Sequence, residues 1–194
     1  CGEFEYAYPL VERFATFHRQ NYGGCKTGVA DVLIGATVAI VEYHGVAKAA
    51  HVRDKITEMV HLAETLYCGS IACSSQGFKT PSGAYFADPL LANVTKQNVT
   101  RYIYEIYRLA HDLAGGFIAT MPSAEDFKSP EIGAYIEKYY KTAADVPTEH
   151  RLRIGRLIEN MSGGTAAVES MQGAGSPQAQ RIMILRQANL EHKK

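Results

Sequence analysis

Between positions 18 and 26 the chain reads His18-Arg19-Gln20-Asn21-Tyr22-Gly23-Gly24-Cys25-Lys26, and nowhere else do an imidazole, a phenol, a thiol and an amine fall so close together. In a helix of about 3.6 residues per turn, His18 and Tyr22 are i, i+4 and Tyr22 and Cys25 are i, i+3, while His18 and Cys25 lie two turns apart, offset by only about 20°. The three side chains would share one stripe, with Lys26 at its edge. A thiolate and an imidazole suit iron or zinc, but two donors make only half a tetrahedral site or half of a cluster's ligand set, so the remaining ligands must come from elsewhere. A plainer alternative fits the same spacing: Leu10, Val11, Phe14 and Phe17 mark an ordinary amphipathic helix, a polar turn begins at His18, and Gly23-Gly24 ends it.

The elements that must position these residues are read from length and pattern. At 194 residues, with 46% hydrophobic and 21% charged, the chain has room for one domain around one core. Twenty basic and twenty acidic residues cancel without a Lys/Arg run, which argues against a nucleic-acid partner or an anionic membrane surface. Asp31 and Glu42 bracket the longest apolar stretch, so no membrane span is expected, and without a signal-peptide pattern the expected location is cytoplasmic. Cys1, Cys25, Cys68 and Cys73 form no C-x-x-C pair, which fits reduced thiols and argues against a structural zinc site.

Val29 to Tyr43 is helical in length and too apolar for a surface helix; a bundle core suits it. A second long helix is predicted from His51 to about Ser74, with Ile56, Met59, Val60, Ala63, Leu66, Tyr67 and Ile71 on one face. Gln76 to Leu90, with Gly77, Pro81, Gly83 and Pro89, reads as a long loop. Helical periodicity returns from Gln97 to Ala114 and stops at Gly115-Gly116; Pro122 to Pro130 is a polar turn region. Shorter helices are predicted at Ile132 to Tyr140 and at Glu149 to Met161, the latter capped by Thr148 and closed by Gly163-Gly164. After the loop Met171 to Ser176, Pro177 to Asn189 forms the last helix. Six or seven helices without an alternating strand pattern or internal repeat predict an all-α bundle.

Other chemistry-bearing residues have plain readings. Glu58-x-x-His61 resembles half of a carboxylate-bridged di-iron motif, but no second copy exists, so Glu58 reads as solvated and His61 as partly buried. Cys68 and Cys73 diverge on a helix and read as inert buried thiols. By composition, Gly115-Gly116 is a helix cap, Met171 to Ser176 a flexible loop and Glu169 a surface carboxylate.

The run HRQNYGGCK resembles the cluster-binding helix of the 4-hydroxybutyryl-CoA dehydratase family, flavin and iron–sulfur enzymes that also carry vinylacetyl-CoA isomerase activity. VERFATFHRQNYGGCK, DVLIGA, HLAETLYCGSIACS, LLANVTKQN, LAGGFIATMPS and ESMQGAGSPQAQRIMI are similar to that family in the same order, so the resemblance covers nearly all of residues 1–194. It implies the family's carboxyl-terminal helical domain, an acyl-CoA dehydrogenase-like four-helix bundle with additional short helices, through which subunits associate as a homotetramer. With Cys1 where an initiating Met is expected, the chain reads as a fragment or separate carboxyl-terminal piece, lacking the family's amino-terminal helical and middle β domains.

The resemblance further implies FAD and a 4Fe-4S cluster as cofactors and an acyl-CoA thioester as substrate. It makes His18 and Cys25 two of four cluster ligands, the other two being cysteines outside this chain. Tyr22 and Lys26 then face substrate and flavin, His18 is also a candidate base, Glu169 an acid/base or orienting group, and Gly115 and Gly116 a point of close approach to flavin. The implied reaction removes water from 4-hydroxybutyryl-CoA to give crotonyl-CoA by a radical route. Two alternatives stay open: a domain of the related flavin-dependent 4-hydroxyphenylacetate 3-monooxygenase group, against which Cys25 argues, and a non-catalytic oligomerisation or nucleotide-docking fragment.

Overall fold

Gly23-Gly24 does not end the first helix. In the computed structural model, which describes residues 2–194 and so leaves Cys1 outside the described residues, α1 runs unbroken from Phe4 to Tyr43. The reason lies at Gly23, where a Cβ would come 2.5 Å from Thr95 Cγ2 and 2.9 Å from Ser70 Cβ. The glycine is there for close approach of neighbouring helices, and packing outweighs its helix-propensity cost of about 1 kcal/mol. Gly23→Ala should therefore recover roughly 1 kcal/mol of propensity yet lose about 1–3 kcal/mol to overpacking. The expected outcome is a net loss of stability, read as a lower urea midpoint at unchanged slope.

The chain continues through α2 (Ala50–Ser75), a hairpin of β1 (Phe78–Lys79) and β2 (Tyr85–Phe86), and α3 (Pro89–Ala114). A 3-10 turn (Gly116–Thr120) is followed by α4 (Ala124–Lys128), α5 (Gly133–Tyr139), α6 (Thr148–Ser162), α7 (Gly164–Gln172) and α8 (Pro177–Gln187). The all-helical class holds, with small local corrections. The expected loop at 76–90 contains an antiparallel pair, Phe78 opposite Phe86 and Lys79 opposite Tyr85, and Gly77 leaves room for the Phe86 carbonyl. Helix α3 starts eight residues before Gln97, because Pro89 suits a first helical position and Asp88 Oδ1 accepts from the Leu91 amide at 2.7 Å. The polar stretch 122–130 holds α4, closed by a capping box between Ser123 and Asp126. Thr148 is not a cap: Pro147 takes that position, and the threonine hydroxyl instead donates to the Glu137 carboxylate at 2.9 Å. Helix α7 extends over Met171 and Gln172, shortening the expected loop to 173–176.

Burial also corrects individual residues. His61 is exposed, as is Glu58, and Cys68 is exposed. Cys73 is wholly buried against Ala87, Ala92 and Leu91, and burial with the nearby Asp88 pushes its thiol up to about 11, an inert group. Of the predicted α2 face, Met59, Ala63 and Leu66 are buried, while Val60, Tyr67 and Ile71 stay exposed. Helix α1 does contain an 18-residue window long and apolar enough, by length and composition, to cross a membrane. Length and composition alone do not separate a span from a core helix, and α1 also buries Arg19 and Lys26.

The residues pack as two compact units. One comprises Val29–His61 and Glu105–Ala167. Its interior is apolar, built from residues such as Leu33, Ile40, Val41, Met59, Ile106, Leu113, Leu152 and Ile158. The other comprises residues up to Gly28, Leu62–Tyr104 and Val168–Lys194. It buries Tyr22, Leu66, Phe86, Val99 and Ile103, but also Arg19, Lys26, Asn93, Lys96 and Gln180. Buried charge is expensive without compensation, so the unit that carries it is where the chemistry belongs.

Candidate active site

The stripe expected on α1 forms, and it divides by exposure. His18 and Cys25 face outward, whereas Tyr22 and Lys26 turn into the unit with Arg19 and Gly23. The His18 ring sits between Phe14 and Tyr22, with ring centroids 5.6 Å from each. Tyr22 Oη donates to Glu169 Oε1, and Lys26 Nζ donates to Glu169 Oε2. One carboxylate on α7 thus collects two groups from α1 across more than 140 residues of sequence. Lys26 is nearly buried, while the Glu169 side chain is 45% exposed, so the group opens to the surface through its carboxylate.

Charge states follow from these contacts. Partial burial pushes the Glu169 carboxyl up, but hydrogen bonds from Lys26 and Tyr22 and the charges of Lys26 and Lys96 outweigh it, and the net shift is downward. Glu169 is an anion at neutral pH, able to accept a proton and not to supply one. Burial, the hydrogen bond to Glu169, and the charges of Glu169 and Cys25 raise the Tyr22 phenol well above the ordinary tyrosine range. Tyr22 is therefore a neutral donor. A methyl group at Gly173 would collide with the Tyr22 hydroxyl, so that glycine opens the space in which phenol meets carboxylate.

Further residues complete the surroundings, and neither spacing nor composition singles them out. Lys96 of α3 is wholly buried; its Nζ donates to the Ser170 carbonyl at 2.8 Å and lies 4.3 Å from the Tyr22 ring centroid. Arg19 donates through Nε to the Ala174 carbonyl at 3.0 Å and through Nη1 to Asn93 Oδ1 at 2.7 Å. Ala174 holds φ of +60°, a left-handed conformation that Arg19 helps to fix. LLANVTKQN and ESMQGAG, both similar to the family, contain Asn93, Lys96 and Gly173, which was the one available signal.

For metal, His18 and Cys25 provide one imidazole and one thiol on a shared exposed face, and among the described residues no group of three or more His, Cys, Asp or Glu is assembled. They fit half of a cluster's ligand set and no complete site. Gly115 and Gly116 belong to the other compact unit. Gly115, at φ +83°, ends α3 as predicted and borders a cleft of about 520 Å³ with His111, Asp112, Ile118 and Glu159. A Cβ on either glycine would meet nothing within 4 Å. Asp112 and Glu159 are already paired with Lys55 and Arg156. The cleft can take a flat polar edge against open backbone, and its lining contains no cation for a diphosphate.

The chain is helical apart from one short hairpin, and its buried charge lies on α1 (Arg19 and Lys26) and α3 (Lys96), gathered near the half-exposed Glu169 of α7; this is a helical-bundle domain with a Tyr–Glu–Lys group. Residues 7–194 match the family model described as 4-hydroxyphenylacetate 3-hydroxylase C terminal, and the chain belongs to that family. It is 54% identical over 206 residues to the 4-hydroxybutyryl-CoA dehydratase/vinylacetyl-CoA-Δ-isomerase of Clostridium aminobutyricum, covering 100% of this chain and 42% of that protein. The structure of an oxygen-tolerant archaeal 4-hydroxybutyryl-CoA dehydratase from N. maritimus superposes with a TM-score of 0.94 at 54% identity, over 99% of this chain and 39% of that one. The oxygenase component of 4-hydroxyphenylacetate 3-monooxygenase, in complex with FAD and 4-hydroxyphenylacetate, shares the fold at a TM-score of 0.80 and 20% identity, over 90% of this chain and 37% of that one. The chain spans about two fifths of the length of the relatives it matches.

Proposed function

We propose that this chain is the carboxyl-terminal part of a 4-hydroxybutyryl-CoA dehydratase, which removes water from the acyl-CoA thioester to give crotonyl-CoA and isomerises vinylacetyl-CoA. The observation that carries the reading is 54% identity across the whole chain together with the full His18, Tyr22, Cys25 and Lys26 set on one helix. Identity of 20% to the phenol-hydroxylating relative favours the dehydratase over the monooxygenase.

In this reading His18 and Cys25 supply two ligands to a 4Fe-4S cluster, and cysteines outside the chain supply the others. When bound, the cluster offers a Lewis-acidic iron for the substrate hydroxyl and FAD offers one-electron redox chemistry. The protein's own residues do the rest. Lys26 has two donors left after Glu169 and holds developing negative charge on the thioester oxygen. Tyr22 keeps Glu169 oriented through its hydrogen bond to Oε1. His18, exposed beside Tyr22, is placed to take the substrate proton only when its ring nitrogen is not held by the cluster, and Glu169, ionised at rest, is an acceptor to which that proton can pass. Gly115 and Gly116 provide open backbone for a flat edge of the flavin nucleotide, the cation for its diphosphate coming from outside this cleft.

The exposed row Phe4, Leu10, Val11 and Phe14 on α1 supports burial against further protein, either the remainder of the polypeptide or the partners of a homotetramer. Reduced Cys25 and Cys68 suit a cytoplasmic setting. The test is anaerobic purification of the whole protein, with iron, sulfide and flavin content and crotonyl-CoA formation measured on one sample. Iron with flavin and turnover of 4-hydroxybutyryl-CoA are expected. Flavin without iron, accompanied by hydroxylation of a phenol, would replace this reading with the monooxygenase.

A further inference from the structure

Lys96 is the largest wholly buried side chain among the described residues, and the chemistry above does not use it. It forms no ion pair there: its ammonium donates to the carbonyls of Ser170 at 2.8 Å and Met171 at 3.4 Å, and sits over the Tyr22 ring at 4.3 Å. The charged groups that face it are Arg19 and Lys26 from α1 and Glu169 from α7, so with Lys96 itself three cations gather around one carboxylate. Methionine has nearly the same reach and no charge to desolvate, and replacing buried charge by an apolar side chain of similar volume is often neutral or stabilising. The ammonium is thus poorly explained as packing.

What it touches is more telling. Ser170 and Met171 lie in the last turn of α7, the negative end of the helix dipole, and that turn contains no basic residue of its own. Lys96 brings the missing cation from α3. The same turn carries Glu169, and the same ammonium rests on the ring whose hydroxyl binds Glu169.

We propose that Lys96 is a positioning residue for the Tyr22–Glu169–Lys26 group: it ties the last turn of α7 to α3 and seats the Tyr22 ring, so that carboxylate, phenol and amine meet in one arrangement. The functional consequence rests on the dehydratase reading, in which this group handles the substrate proton and oxygen charge. Burial first, and the charges of Lys26 and Arg19, lower the Lys96 amine to about 8 despite Glu169, so it remains mostly charged at neutral pH.

The test compares the whole enzyme with its Lys96→Met and Lys96→Arg variants. Lys96→Met should leave the melting temperature unchanged or higher, raise amide exchange in 164–172, and lower kcat roughly 10- to 100-fold with KM changed less than about twofold. Lys96→Arg, which keeps charge and donors, should recover part of kcat. Wild-type kcat with unchanged exchange in Lys96→Met overturns the proposal; so does a loss that tracks a fall in melting temperature and a uniform rise in exchange. If the wild-type enzyme forms no crotonyl-CoA, NMR of labelled lysine still decides. A titration near 8, absent from Lys96→Met and shifted down in Glu169→Gln, supports the coupling, and a titration indifferent to Glu169 overturns it.

Discussion

Cys25→Ser and His18→Ala in the whole enzyme should each lose bound iron and depress crotonyl-CoA formation by about 10³-fold or more, since removing a ligand exceeds the roughly 10- to 100-fold cost of disturbing a ligand's support. Both side chains are exposed on the outer side of α1, so neither substitution opens a cavity or strands a buried polar group. Cys25→Ser should shift stability by no more than about 0.5 kcal/mol, while His18→Ala also gives up edge contacts with Phe14 and Tyr22. The pairing of lost metal with an intact fold is the discriminating result. Iron content, rate and thermal melt on the same preparation check it. A Cys25→Ser enzyme with full iron and full rate would remove Cys25 from the ligand set. Tyr22→Phe provides the contrast, because it leaves both outward donors in place: iron should stay bound while the rate falls.

Much of the fold was legible because it is written in local pattern. The apolar run 29–43, the stop at Gly115-Gly116, and the Pro177 start of the last helix each state their structure within a few residues. Gly23-Gly24 was misleading for a definite reason. Two adjacent glycines signal a helix end when read locally, and their use against Thr95 and Ser70 depends on residues about 50 and 70 positions away. The early start of α3 is similar, since it needs the Asp88 side chain turned back onto the Leu91 amide.

The site divides along the same line. The α1 residues were visible because helix geometry alone places them together, and family resemblance supplied Glu169. Burial was not visible: the spacing puts His18, Tyr22 and Cys25 on one stripe, but only packing decides that Tyr22 turns inward while its neighbours face out. Lys96 was hidden for a stronger reason. A lysine between Thr95 and Gln97 on a helix reads as a solvated residue by every compositional rule, and lysines are almost never fully buried unless paired. Its partners are two backbone carbonyls, which a sequence does not display, and an aromatic ring 74 residues earlier.

Replacing Glu169 by glutamine should damage both stability and catalysis, and pH separates the two effects. Glutamine keeps the size and an acceptor for Tyr22, but it leaves Lys26 and Lys96 facing each other and Arg19 with no anion among them. Breaking a buried pair typically costs about 3–5 kcal/mol; with Glu169 45% exposed, water screens much of that, and about 1–2 kcal/mol is the expected loss near neutral pH. The folded-state carboxyl lies below the ordinary value of 4.5, so the wild-type advantage is fully present above that value and disappears as pH falls through the depressed folded value. Lys96 sets the upper edge. Once its amine gives up its proton above about 8, Glu169 has one cation fewer to hold, and the gap between wild type and variant narrows again. Urea unfolding across this range should therefore give a gap that is widest near neutrality, closes on the acid side and narrows on the alkaline side, where Lys26 still holds Glu169. The rate should fall about 10²–10⁴-fold, as for loss of a positioned proton acceptor, and should not recover at the acidic pH where the stabilities converge. A gap that stays constant with pH would mean that Glu169 contributes through shape and packing and not through its charge.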